Sequence, residues 1–186
     1  MVTIRLADAD DATLIGRVHV ESWQSTYEGI LPEDYLTDLS EVRVAASWAE
    51  ILAKRGRVGA TFVLEDEVEG IVGFADSGPE RGGKPKAGEI TSIYLLKAWQ
   101  RQGYGRRLVA ETARYLAAHE AESLAIWALE ANMARGFYET LGGIEAGRRQ
   151  IRFAGTALAE VGYRWLEIGN LLLIDILADY ARAGEG

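Results

Sequence analysis

The chain has 186 residues, of which 48% are hydrophobic and 26% charged, and this length and composition fit one globular domain. It contains no cysteine, which excludes disulfides, thiolate metal sites and cysteine nucleophiles. The formal net charge of -8 argues against nucleic acid as the main partner, because binding a phosphate backbone needs clustered Lys and Arg. The acidity either suits a cationic partner or serves solubility.

The N-terminal part of the chain predicts a strand followed by two helices. Residues 2–5 alternate like a short strand, and the acidic residues 8–11 offer caps for a helix. This first helix has an apolar face of Leu14, Ile15 and Val18. A second helix is capped by Ser40, and its predicted inner face consists of Val42, Ala45, Ala46, Ala49 and Leu52. Residues 23–39, between the two helices, are predicted to form an aromatic loop.

The middle of the chain predicts a hairpin, a third strand and a strong helix. Residues 61–64 and 68–75 are rich in β-forming residues and flank a short acidic stretch, which is typical of an antiparallel hairpin. Residues 77–88 are polar and rich in Gly and Pro, and therefore predict a surface loop. Residues 89–96 predict a strand, and residues 103–118 a helix with an inner face of Leu108, Val109, Thr112 and Leu116.

The remaining elements complete a sheet. Residues 123–129 predict a strand, residues 132–141 a short helix, and residues 144–153 and 158–166 a closing strand pair. Residues 170–180 predict a further helix whose apolar side chains exceed one face: Leu171, Leu172, Ile174, Ile176 and Leu177.

This last helix suggests how the chain is divided. We expect one domain over residues 1–168 and a helical extension over residues 169–186. Because the extension follows a finished sheet, its apolar surface packs on the domain or forms a homodimer contact.

A glycine turn joins the third predicted strand directly to the following helix. Gly103 and Gly105 let the backbone approach an oxyanion, and Arg101, Arg106 and Arg107 add local positive charge. Backbone N–H groups at a helix start, together with the helix dipole, form an anion cradle that fits a pyrophosphate. A dinucleotide fingerprint is excluded because Leu108 stands where its third glycine belongs, and the P-loop sequence is absent. By spacing alone, such a turn is explained by helix initiation about as often as by a ligand.

Gln100, Gly103 and Gly105 match the Q/R-x-x-G-x-G/A motif for acetyl-coenzyme A in the GNAT acetyltransferase superfamily, which the chain resembles. Residues 132–138, followed by Leu141 and a glycine, resemble the next motif of that family. The resemblance implies an α+β fold of the α/β GNAT type: a central mixed, mostly antiparallel sheet with splayed strands 4 and 5, flanked by helices, plus a C-terminal helix. Two departures are a lysine where the family often has proline before the turn, and the leucine-rich extension.

The resemblance also implies a cofactor site. The pantetheine arm of acetyl-coenzyme A would lie between strands 4 and 5 and bond to backbone groups near Tyr94 and Leu95. Asn132 would contact the cofactor from the following segment, although it also suits a simple helix cap. The pyrophosphate would lie on a turn made of Gln100, Arg101, Gln102, Gly103, Tyr104, Gly105 and Arg106.

Two residues match the family's catalytic positions. An alkyl ammonium with a pKa of about 10.4 is neutral in only about one part in 2,500 at pH 7, so acetylation of an amine requires a base or a desolvating pocket. Glu89 lies where some family members carry a catalytic glutamate, although a glutamate at a strand end is more often a solvated charge. Tyr138 aligns with the tyrosine that acts as general acid on the leaving thiolate, whereas by spacing alone it would pack in the core.

Acceptor contacts are expected from the first helix and the aromatic segment. His19, Trp23 and Tyr27 are the candidates, and the alternative is that Trp23 and Tyr27 pack that helix onto the sheet. Neither histidine suits a catalytic triad or a metal site, and we expect no metal. His119 ends a helix and should face solvent.

These features predict an N-acetyltransferase that moves an acetyl group from acetyl-coenzyme A to a primary amine of a small molecule or protein by direct attack in a ternary complex. The alternative is a non-catalytic acyl-coenzyme A sensor or interaction module, which would need the glycine turn but neither Glu89 nor Tyr138. We expect no membrane or nucleic-acid partner and a cytoplasmic location, because no apolar run approaches the ~18 residues of a membrane span and no signal-peptide pattern begins the chain.

Overall fold

A seven-stranded sheet organises the residues that the computed structural model describes, which are 1–54, 59–83 and 85–174. Its strand order is β1-β2-β3-β4-β5-β7-β6, and every neighbouring pair is antiparallel except β4 and β5, which are parallel. This confirms the mixed, mostly antiparallel α+β fold. The strands are β1 Val2–Leu6, β2 Ala60–Asp66, β3 Gly70–Pro79, β4 Ala87–Leu95, β5 Ser123–Leu129, β6 Ile144–Phe153 and β7 Thr156–Trp165.

Helices cover both faces of the sheet. They are α1 Ala12–Tyr27, α2 Glu33–Thr37, α3 Glu41–Ala53, α4 Tyr104–Ala118 and α5 Arg135–Thr140, and residues 169–174 are also helical. Ser40 caps α3 as predicted, since its hydroxyl accepts a hydrogen bond from the Arg43 N–H. Within the described ranges, no helix has the length and apolarity needed to cross a membrane.

The parallel strands β4 and β5 part before they end. Among the described residues, their pairing stops at Ile90 and Ile126, although both strands continue. On the other side of β4, Ser77 pairs with Ile90 while Asp76 pairs with Ser92, so Thr91 is an extra residue in a β-bulge. Because a bulge bends its strand and increases the twist, β4 turns away from β5 here. The predicted splaying of strands 4 and 5 is confirmed.

Each face of the sheet buries its own apolar layer. On one face, α4 buries Leu108, Val109 and Leu116 as predicted. On the other face, Ile15 and Val18 of α1 are fully buried in a cluster that also contains β2, β3 and α3 residues. This arrangement leaves the parted ends of β4 and β5 between α1 on one side and α4 and α5 on the other.

The segment between the first two helices differs from the prediction. The aromatic loop predicted over residues 23–39 is wrong in part, because α1 continues to Tyr27 and α2 occupies Glu33–Thr37. Aromatic residues have only moderate helix propensity, so their density here concealed a helix that tertiary packing stabilises.

The inner face of α3 is also rotated from the predicted one. Val42 is 80% exposed, whereas Trp48 is buried and was not predicted. The Trp48 ring packs against Phe74 with centroids 4.9 Å apart, and its indole N–H donates to His19. In an alanine-rich helix several faces look equally apolar, so the bulky Trp48 decides which one turns inward.

The polar connection after β3 is shorter than predicted. Residues 77–88 do not form a loop throughout, since β3 extends to Pro79 and β4 begins at Ala87. The Glu80 N–H donates to the Ala87 carbonyl and closes the hairpin. A proline at a strand terminus loses no ladder hydrogen bond, so Gly and Pro did not prevent strand pairing here.

The first turn after the sheet belongs to the core. Ile168 and Leu171 are buried with β4, α4 and β7 residues, whereas Leu173 is 54% exposed. Ile176 and Leu177 lie outside the described residues. The division of the chain after residue 168 and the homodimer contact therefore stay predictions.

Candidate functional site

The turn between β4 and α4 has a backbone shape that depends on glycine. Gly103 is the N-cap of α4 and has a φ of 87°, in the left-handed region that favours glycine. Two glutamine side chains brace this turn, because Gln100 donates to the Leu95 carbonyl at 3.0 Å and Gln102 donates to the Ala98 carbonyl at 2.7 Å. The turn is therefore held by its own polar side chains.

This turn directs backbone donors outward at the start of α4. The Arg107 N–H donates to the Gly103 carbonyl, so the N–H groups of the preceding first turn have no place in the helical ladder. They lie at the positive end of the helix dipole. A Cβ at position 105 would lie 3.3 Å from the Phe137 ring, so glycine there allows α4 to start close against α5. Such a helix start can bind an oxyanion.

Across the gap between the parted strands lie Asn132 and Tyr138. Asn132 is buried, and its Oδ1 accepts a hydrogen bond of 2.8 Å from the Ala134 N–H, so it caps the turn that leads into α5. Tyr138 is buried, and its pKa is raised by burial and further by the nearby Tyr27 and Tyr163. Within the described part of the chain, no residue forms a hydrogen bond with the Tyr138 hydroxyl.

Two further tyrosines meet beside this gap. The hydroxyls of Tyr27, at the end of α1, and Tyr94, on the part of β4 that pairs with β3 but no longer with β5, are 3.0 Å apart. Burial raises the pKa of both phenols, although hydrogen bonds with Tyr94 and Asn132 oppose the increase for Tyr27. Tyr138 also contributes to the raised pKa of Tyr94. The fold thus brings together Tyr27 of α1, Tyr94 of β4, Asn132 of the turn after β5 and Tyr138 of α5, and the Tyr94 side chain adds to a position predicted for its backbone alone.

Glu89 is buried, contrary to the solvated charge that is usual at a strand end. It lies on β4 one residue before the last pair with β5, and its side chain is 2% exposed. Arg81 binds its carboxylate: the backbone N–H donates to Oε2 at 3.0 Å and Nη2 donates to Oε1 at 2.5 Å, while Nε lies 3.2 Å from both oxygens. Sequence reasoning missed Arg81. Its one signal in the sequence is that it lies eight residues before Glu89, in the connection that follows β3.

An aromatic cluster lies on the α1 side of the gap. The Trp23 ring centroid is 5.1 Å from the centroids of His19 and Tyr27 and 5.5 Å from the centroid of Phe153. The ring centroids of Phe153 and Tyr35 are 5.0 Å apart. Trp23 and Tyr27 therefore do pack α1 toward the sheet, while they also line the region beside the parted strands. Tyr35 and Phe153 were not predicted, since they come from distant parts of the sequence.

His19 is a neutral acceptor within these rings. Its Nδ1 accepts a hydrogen bond of 3.1 Å from the Trp48 indole N–H, and burial lowers the pKa of His19 to about 4. His119 is exposed, as predicted, and its Nδ1 contacts the Tyr115 carbonyl at 2.8 Å.

Comparisons with known proteins agree with this geometry. The model of the acetyltransferase (GNAT) family matches residues 19–142. An uncharacterized N-acetyltransferase of Bacillus subtilis strain 168, YuaI, is 37% identical over 172 residues, which cover 92% of this chain and 96% of that protein.

Solved structures share the fold at lower identity. The PaiA N-acetyltransferase from Thermoplasma acidophilum, in complex with coenzyme A, superposes with a TM-score of 0.63 and 15% identity over 89% of this chain and 99% of that one. The ribosomal-protein-alanine N-acetyltransferase from Brucella melitensis superposes with a TM-score of 0.68 and 21% identity over 88% of this chain and 98% of that one.

The lowered pKa of His19 predicts a specific loss of stability in acid. The unfolded chain binds a proton near the ordinary pKa of 6.5, whereas folded His19 does so at about 4, so stability is lost as the pH falls through that window. A His19→Asn variant keeps an acceptor for Trp48 but does not titrate. Between about pH 7 and pH 5, the free energy of unfolding of the wild type should fall by about 2 kcal/mol more than that of the variant, measured by urea denaturation. Equal losses in both proteins would contradict the buried, neutral state of His19.

Proposed function

Because the chain belongs to the GNAT acetyltransferase family and is an acyltransferase, we propose that it moves an acetyl group from acetyl-coenzyme A to a primary amine of a small molecule or protein. The observation that carries this proposal is the anion cradle at the start of α4, which adjoins the parted ends of β4 and β5. The cradle is proposed to bind phosphate, and the parted ends of β4 and β5 leave room for an extended chain between these two strands.

The residues at the cradle fit coenzyme A. The left-handed Gly103 and the first-turn N–H groups of α4 suit a pyrophosphate. Tyr94 and Leu95 lie on the part of β4 that has left β5, so their backbone suits the amides of the pantetheine arm. When bound, acetyl-coenzyme A supplies the acetyl group as an activated thioester. The residues proposed to hold it are Tyr94, Leu95, Gln100, Arg101, Gln102, Gly103, Tyr104, Gly105, Arg106 and Asn132.

Glu89 is proposed as the general base. An ammonium group must lose a proton before its nitrogen can attack, and a carboxylate within reach, directly or through a water, can accept that proton. Glu89 lies one residue before the last β4–β5 pair and is shielded from bulk solvent. Its position at the beginning of the gap supports this role.

Tyr138 is proposed as the general acid for the leaving sulfur. Its hydroxyl is available for a new hydrogen bond, and it lies near the cluster of Tyr27 and Tyr94. The raised pKa keeps Tyr138 protonated over the physiological range, so it remains a donor. A thiolate formed at the same buried place is also destabilised by desolvation, which favours proton transfer from the phenol.

The amine is proposed to approach from the α1 side and to attack directly in a ternary complex. The chain has no cysteine to carry an acyl intermediate, and the candidates for acceptor contact, His19, Trp23 and Tyr27, all lie in the aromatic cluster beside the gap. The same cluster adds Tyr35 and Phe153 to the surface that would meet an acceptor. A non-catalytic acyl-coenzyme A module would need no such acceptor surface.

Thiol release from acetyl-coenzyme A, measured against a panel of amines, tests this function. The panel should include polyamines, aminoglycosides, amino acids, and peptides with a free N-terminus or lysine. One class should raise thiol release well above the background hydrolysis rate, with acetylated product confirmed by mass spectrometry. Tight coenzyme A binding without turnover on any class would favour the acyl-coenzyme A sensor instead.

Replacing Gly103 should weaken coenzyme A binding through the backbone. In Gly103→Ala, the left-handed φ of 87° becomes strained by roughly 1–2 kcal/mol, although a Cβ there meets no close neighbour. The turn should relax and misalign its N–H groups, so calorimetry should show an affinity for coenzyme A lower by ~10-fold or more. Gly70→Ala carries a similar strain at φ 73° in the β2–β3 turn and serves as the control. Equal affinities in the two variants would contradict the location of the pyrophosphate.

Tyr138→Phe should slow the chemistry without weakening cofactor binding. The variant loses one hydroxyl and keeps the buried ring, so turnover on the true acceptor should fall by ~10²-fold while acetyl-coenzyme A affinity hardly changes. Tyr115→Phe removes a phenol oxygen from the α4 residue that stacks on His119, and it should retain wild-type turnover. Unchanged turnover in Tyr138→Phe, where chemistry limits the rate, would exclude the acid role and leave family membership intact.

A further inference from the structure

A buried carboxylate and an exposed arginine form an ion pair at the base of the gap. The Glu89 side chain is 2% exposed, whereas that of Arg81 is 65% exposed. The pair joins the two strands of one hairpin, because Arg81 follows the end of β3 and Glu89 lies within β4. The guanidinium covers both carboxylate oxygens, and the Arg81 backbone N–H adds a further donor to one of them.

Other charged groups surround this pair on the same face of the sheet. Glu89 lies beside Ala125 of β5, which in turn pairs with Arg164 of β7, and Arg164 forms an ion pair with the buried Glu80. The pKa of Arg81 is raised chiefly by its hydrogen bonds with Glu89, and the charge of Glu160 on β7 adds to this. Glu160 is itself paired with Arg149. Acidic side chains therefore converge here, and arginines balance them.

We infer that Arg81 is a positioning residue, which binds both oxygens of Glu89 and fixes their direction for accepting the proton of the acceptor amine. This inference rests on the proposed function, since it requires Glu89 to act as the base. Arg81 acts through Glu89 and has no proposed contact with the reacting atoms.

The physical reason is the cost of a buried, uncompensated charge. A carboxylate removed from water is stabilised by an opposite charge, and truncating Arg81 would remove both that charge and the donors that hold the carboxylate in place. The planar guanidinium also binds both oxygens at once, which fixes their orientation in a way that a single ammonium group does not.

A double-mutant cycle tests the role of Arg81. Arg81→Ala should lower kcat by about 10-fold, with unchanged KM for acetyl-coenzyme A and unchanged coenzyme A affinity by calorimetry. Arg81→Lys should recover part of this loss of kcat, because an ammonium group restores the positive charge but cannot bind both carboxylate oxygens in the planar geometry of a guanidinium. Glu89→Gln should lower kcat by ~10²-fold, and adding Arg81→Ala to it should cost nothing further, since an amide needs no counter-ion.

Two controls keep the cycle interpretable. Arg114→Ala removes a 48% exposed arginine from an ion pair with Glu111 on α4, so it should have wild-type kcat. Carbon-13 NMR of chains labelled at the glutamate carboxyl carbon supplies a readout that needs no turnover. The signal missing in Glu89→Gln identifies Glu89, and its chemical shift should change in Arg81→Ala, because the carboxylate loses the guanidinium that contacts both of its oxygens. Thermal unfolding confirms that every variant is folded.

The possible failures are distinguishable. The role of Arg81 would be overturned by wild-type kcat in Arg81→Ala, or by an equal loss of kcat when Arg81→Ala is added to the wild type and to Glu89→Gln. An unchanged Glu89 signal in Arg81→Ala would also overturn it. Each of these results would leave the proposed function standing. Wild-type kcat in Glu89→Gln would overturn the base role of Glu89 and this inference with it. If the wild type acetylates no amine, the proposed function fails, and the Glu89 signal still decides whether Arg81 holds that carboxylate in place.

Discussion

The separation of β4 from β5 is the constraint on which the rest of the site depends. Parallel strands normally continue their ladder, yet here the pairing ends at Ile90 and Ile126, beside a bulge at Thr91. Thr91 stabilises the bulge through a hydrogen bond of 2.8 Å from its hydroxyl to Asp76. The separation frees one edge of β4 and leads the chain directly to the glycine turn of α4. The proposed strip for the pantetheine arm and the proposed anion cradle therefore follow one another along the chain.

The separation also explains why polar groups can be buried at the centre of the domain. Tyr27, Tyr94 and Tyr138 come from α1, β4 and α5, and they meet where a continuous ladder would have placed packed apolar side chains. Tyr27 and Tyr138 are buried, and burial raises the pKa of all three phenols. The Arg81–Glu89 pair at the closed end compensates the one buried carboxylate that we assign to chemistry. The proposed proton acceptor, Glu89, therefore lies on β4, and the proposed proton donor, Tyr138, on α5.

How far the sequence predicts this site depends on how local each feature is. The glycine turn before α4 was predictable because Gln100, Gly103 and Gly105 are close in sequence, whereas its use as an anion cradle stays a prediction. The burial of Glu89 was not, because it depends on the hairpin register that brings Arg81 to it. The inner face of α3 was misassigned for the same reason, since Trp48 is oriented by contacts with residues from other elements. The splayed strands were expected from family resemblance, and the bulge that accompanies them carries no sequence signal that we recognise.

Amide hydrogen exchange with and without saturating coenzyme A tests the central claim most directly, because it observes the cradle and the free edge of β4 at once. The account predicts slower exchange on ligand addition at residues 101–107 and at residues 91–95, with little change in the distant strands β1 and β2. Unchanged exchange in both of these segments, at a coenzyme A concentration that saturates binding by calorimetry, would contradict the account.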